Sequence, residues 1–122
     1  MAELKIDERQ VTVTLNWWEK IAAHRSHLTV PARAISGVRV VDDALAFAAA
    51  QERDKRSPGT RLRGLTDTGT FVTRYGTRAS VLSVCHGTGP GVVIDLESGT
   101  IGRIIISTAR APEYARELGR FL

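Results

Sequence analysis

The amphipathic pattern of Pro112–Leu122 constrains this chain more than any other stretch, because nearly everything before it reads as short strands. Pro112 suits the first helical position, where a missing N–H costs nothing, and Glu113 puts negative charge at the positive end of the helix dipole. Tyr114, Leu118 and Phe121 recur at i, i+4 and i+7, with Ala115 and Leu122 beside them. Arg116, Glu117 and Arg120 take the opposite face. Such a helix needs an apolar surface to cover, and the preceding strands are the only candidate. The expected class is therefore mainly β, closed by a C-terminal helix.

The strands are marked by alternation and by turn residues. Leu4–Ile6 and Val11–Leu15 flank Asp7-Glu8-Arg9-Gln10, which predicts a hairpin with Val11, Val13 and Leu15 inward. Asn16, with Glu19 three residues on, predicts a capped helix of about two turns over Trp17–Ala23. Ala34–Val41 reads as a strand carrying Ile35, Val38 and Val40, with Gly37 as a bulge or bend. Asp42–Gln51 fits a short helix or turn by its alanines. Glu52–Gly69, with Ser57-Pro58-Gly59-Thr60 at its centre, reads as the main loop. Strand signals then follow at Thr70–Tyr75, Ala79–Cys85, Val92–Glu97 and Ile101–Ser107, and the tight turns between them predict sequential antiparallel pairing.

With 122 residues there is material for one hydrophobic core and not for two. An apolar fraction of 43% and a charged fraction of 25% are those of a soluble protein. The charged start, Met1-Ala-Glu-Leu-Lys-Ile, lacks a signal core, and no apolar run is long enough for a membrane-spanning helix. A single cysteine, Cys85, fits a reducing compartment, so the expected location is cytoplasmic or peripheral to the inner membrane face. The net charge of +4 comes from fourteen Arg against three Lys, spread along the chain as in products of GC-rich genomes.

Two stretches carry a family resemblance. One is Trp18-Glu19-Lys20-Ile21-Ala22-Ala23-His24-Arg25 followed by Leu28-Thr29-Val30-Pro31 and Ile35-Ser36-Gly37-Val38. The other runs from Ser57-Pro58-Gly59-Thr60 through Gly69-Thr70-Phe71 to Pro90-Gly91-Val92-Val93-Ile94-Asp95-Leu96. Together they resemble the small pleckstrin-homology-like proteins of actinobacteria. The resemblance spans nearly the whole chain as one domain. It implies a partly open barrel of about seven antiparallel strands in two orthogonal sheets, one end plugged by the C-terminal α-helix. Ala111 stands where that pattern has an aspartate before the proline, and losing such a cap typically costs about 1 kcal/mol. The resemblance implies little about activity, since such barrels host lipid binding, peptide binding and oligomer scaffolding alike.

Phosphoinositide binding through the first hairpin is rejected on charge, because Asp7–Gln10 holds one Arg against two acids. A better candidate is the basic segment carrying Arg53, Lys55, Arg56, Arg61 and Arg63, which can meet anionic lipid or an acidic partner; its bland alternative is a solvated loop. No aromatic residues interleave there for base stacking, which disfavours nucleic acid. Trp17 and Trp18 point about 100° apart on a helix, so one can pack while the other marks a partner surface; packing of both is the plainer reading. His24, His27, Cys85 and His86 lack paired metal-ligand spacing, so no metal or other cofactor is implied. Gly87–Gly91 lacks the lysine and following helix of a phosphate cradle, and Asp42-Asp43 and Asp95/Glu97 are ordinary strand-end acids. No catalytic set emerges. The expectation is a non-enzymatic binding or assembly module, with exposed strand edges compatible with a homo-oligomer. Peptide binding at a sheet edge is the second expectation, and a small pocket hydrolase or isomerase the third.

Overall fold

The computed structural model describes residues 3–14, 27–50, 59–62, 66–72, 80–86, 89–97 and 101–121. The helix expected over Trp17–Ala23 and the turns at Gly76-Thr77 and Ser98-Gly99 lie outside them. Among the described residues there are nine strands and two α-helices. A three-stranded meander holds β1 (Glu3–Ile6), β2 (Gln10–Thr14) and β3 (His27–Pro31). A single 3-10 turn, Ala32–Ala34, leads into a six-stranded sheet. It contains β4 (Ile35–Val41), β5 (Gly59–Leu62), β6 (Thr66–Val72), β7 (Ser80–His86), β8 (Gly91–Leu96) and β9 (Ile101–Ser107). Their spatial order is β4-β8-β9-β7-β6-β5, and the described strands do not close into a barrel.

The first hairpin forms as its sequence predicts. The Asp7 carboxylate accepts from the backbone N–H groups of Arg9 (2.7 Å) and Gln10 (2.8 Å), an Asx-type turn. These two bonds hold the Asp7 carboxyl below its ordinary range, because they favour the ionised form. Val11 and Val13 then fall on one face and are fully buried. In β4 the register slips between Ile35 and Gly37. The extra residue of this bulge lets Ile35 and Val38, three apart, both reach the same core, which strict alternation forbids.

Among the four strands expected to pair in sequence, pairing fails at one place. Strands β7 and β8 do not pair; β9 lies between them, antiparallel to β8 and parallel to β7. The link through 87–90 therefore skips one strand, a span of about 10 Å that four residues cover easily. Hairpin and skip need the same turn residues, so the Gly-rich link could not distinguish them. The strand compositions could have. Strand β8 is buried at five of six positions and β9 carries Ile104-Ile105-Ile106, continuous apolar runs that mark strands covered on both faces. The parallel pair and the nine strands correct the expected seven-stranded, all-antiparallel arrangement. The expected main loop is corrected too, since β5 and the first half of β6 pair within it, Gly59 opposite Gly69 and Leu62 opposite Thr66.

The six-stranded sheet has a core on each side. On one side Leu82, Val84, Val92, Ile94, Ile104 and Ile106 meet the meander and helix α2 (Ala111–Gly119). This helix buries Ala111, Tyr114 and Leu118, and Phe121 packs against the same core. Its N-terminus lacks a capping side chain, but Thr108 supplies part of the missing function. The Thr108 carbonyl accepts from Ala111 N–H (3.3 Å) and its hydroxyl from Arg110 N–H (3.1 Å). On the other side helix α1 (Ala44–Ala50) covers Val81, Cys85, Val93 and Ile105 with Ala44, Leu45 and Ala48. Asp43 starts α1 by accepting from Ala46 N–H at 3.1 Å.

Candidate functional site

Of the residues that the sequence nominates, Arg61 alone is described, and it lies on β5, opposite Asp67 of β6. Arg53, Lys55, Arg56, Arg63, Trp17 and Trp18 lie outside the described residues. What the topology adds is the position of Arg61. Strand β5 ends the spatial order, so the basic segment runs into an edge strand of the larger sheet. An edge strand presents backbone donors and acceptors along its outer side, which a loop does not do in register.

The opposite edge is β4, and here the side chains can be followed. Arg39 is exposed, and its guanidinium carbon sits 5.0 Å from the centroid of the Phe47 ring on α1. Arg103 of β9 approaches the same ring at 5.9 Å. Arg103 also donates from Nε to the Asp95 carboxylate at 2.7 Å; the two are cross-strand partners, each about one-third exposed. Two guanidinium groups thus share one aromatic ring while the one carboxylate pairs with Arg103 alone, and the patch is electropositive. On the α2 side of the same strand, Val40 is 42% exposed, the one large exposed hydrophobic among the described residues. Sequence reasoning missed this patch. Its signal was an arginine interrupting an apolar strand, as in Val38-Arg39-Val40 and Gly102-Arg103-Ile104, which places a strand near an edge or a half-covered face.

The remaining candidates resolve into structural roles. Asp43 caps α1 and Asp95 binds Arg103, so neither forms a carboxylate pair. The buried Cys85 thiol lies within donating distance of two carbonyls, those of Ala44 (3.6 Å) and Ile105 (3.7 Å), between α1 and β9. In the Gly-rich link, the Gly89 carbonyl accepts from Ala44 N–H (3.0 Å) and the Pro90 carbonyl from Thr108 N–H (3.0 Å). These two carbonyls clasp the entrances to α1 and α2, whereas a phosphate cradle needs N–H groups turned to its ligand. Among the described residues no three His, Cys, Asp or Glu side chains gather as a metal would require. The depression beside the first hairpin, lined by Asp7, Glu8, Arg9 and Gln10, is shallow and open. Among the described residues no helix is long and apolar enough to cross a membrane. Comparison with protein-family models, with curated proteins and with solved structures finds no match.

Proposed function

We propose that this protein is a non-enzymatic binding module that contacts an acidic partner through its Arg53–Arg63 segment. The observation that supports this reading is the run of that segment into the edge strand β5, with Arg61 on the strand itself. Charge then draws an acidic partner in, and the open strand edge gives it a fixed surface to meet. An anionic membrane surface offers the same charge without strand-forming backbone. Kinship with pleckstrin-homology-like domains remains part of the proposal. The two sheets and the C-terminal helix support it, and the parallel β7–β9 pair departs from it.

The test compares the unmodified protein with a variant carrying Gln at positions 53, 56, 61 and 63. The expected outcome is salt-sensitive binding of poly-glutamate by the unmodified protein and its loss in the variant. Sedimentation with phosphatidylserine vesicles, and no response to poly-glutamate, would move the reading to a membrane. Binding that survives neutralisation would refute it.

A second reading, strand addition of a peptide at a sheet edge, is favoured by one observation. Strands β4 and β5 end the six-stranded sheet, and among the described strands each has a single neighbour.

A further inference from the structure

We infer that β4 is the edge that takes a peptide, and that the peptide alternates acidic with apolar residues; this rests on the strand-addition reading. Three features of Ile35–Val41 converge on it. First, among the described strands β4 pairs with β8 alone, and among the described residues no group bonds to its outer side. Second, adjacent residues on the strand present different chemistries to opposite faces. Arg39 faces the α1 side and Val40 the α2 side, so an added strand meets a cation on one face and an apolar side chain on the other. Third, among the described residues no carboxylate pairs with Arg39.

An arginine that merely guards an edge against aggregation extends into water across the strand. Here Phe47 draws the Arg39 guanidinium back over α1, on the side where Arg103 also lies. Among the described residues nothing bonds to the backbone edge, and the cation lies over the Phe47 ring. A carboxylate on the α1 face of an added strand meets the positive field of Arg39 and Arg103, and its neighbour in sequence turns to the Val40 face. Main-chain bonds supply the affinity, and the alternating acid and apolar positions supply the selectivity.

The experiment is an amide-resolved NMR titration of the full chain with an eight-residue peptide alternating valine and glutamate, beside one alternating valine and lysine. The expected result is perturbation of the Ile35–Val41 amides by the glutamate peptide, with binding roughly tenfold weaker for the lysine peptide. In Arg39→Glu that preference inverts, while amides outside β4 and α1 keep their shifts. Unmoved β4 amides, equal response to the two peptides, or β4 shifts that follow protein concentration alone would each overturn the inference, the last by identifying a second copy as the occupant. Perturbation at Gly59–Leu62 instead would overturn the choice of β4 and leave strand addition standing. If no strand edge responds to the peptides, strand addition fails with it.

Discussion

Gly91 opens β8 beneath the first residue of α1, and the fold has no room there for a methyl group. A Cβ placed on Gly91 would lie 2.5 Å from the Ile106 carbonyl oxygen and closer still to the Ala44 Cβ. The backbone at 91 is not in the left-handed region, in contrast to Gly89 at φ 147°, so the obstacle is contact and not strain. Ile106 cannot recede easily, because β9 is held by β8 on one side and β7 on the other. Overpacking of this kind costs about 1–3 kcal/mol, and the doubly held strand places Gly91→Ala near the top of that range. For a domain of this size about 3 kcal/mol lowers the melting temperature by roughly 10 °C. Ala44→Gly removes one of the two obstacles at a cost of about 1 kcal/mol in helix propensity. In a double-mutant cycle by urea denaturation the pair should therefore be about 1 kcal/mol less destabilised than the sum of the single changes. A Gly91→Ala protein melting within about 2 °C of the unmodified one would refute the packing of α1 and β9 around this residue.

Other consequences follow from the same contacts. Leu118→Ala, at a fully buried position of α2, should cost about 3 kcal/mol in urea denaturation, whereas Arg116→Ala on the same helix should cost under about 0.5 kcal/mol. The Asp7 carboxyl should titrate below the ordinary value of 3.8 by NMR. Its contribution to stability is then complete above that value and is lost as pH falls through the lower folded value; Asp7→Ala should remove this acid limb. Cys85 should resist a thiol reagent in the native protein and react once urea unfolds it; prompt native labelling would contradict its burial.

Where one local rule decided the outcome, the sequence was readable. Alternation placed Val11 and Val13 inward, Gly37 marked the β4 bulge, and Tyr114 and Leu118 named the buried face of α2. The alanines of Asp42–Gln51 pointed to the short helix that α1 forms, while the capping role of Asp43 was not read. Long-range pairing was hidden, because Gly89-Pro90-Gly91 serves a strand skip as well as a hairpin. Polar residues concealed β5: Gly59-Thr60-Arg61-Leu62 lacks the β-branched run that announces a central strand, and at a sheet edge none is needed. The Arg39–Phe47–Arg103 patch was out of reach because its members lie on three elements, brought together only once β8 pairs with β4 on one side and β9 on the other. Asp95 was noticed as an acid, but its partner Arg103 is eight residues away across a hairpin.

The proposed contact with acidic partners lies at an edge of the larger sheet, through the basic segment that includes β5. Amide-resolved NMR of the full chain titrated with poly-glutamate tests it most directly. Salt-sensitive perturbations centred on Gly59–Leu62 are expected, with the amides of β2 in the meander unmoved. Perturbations centred on the meander, or none in β5 at low salt, would contradict it.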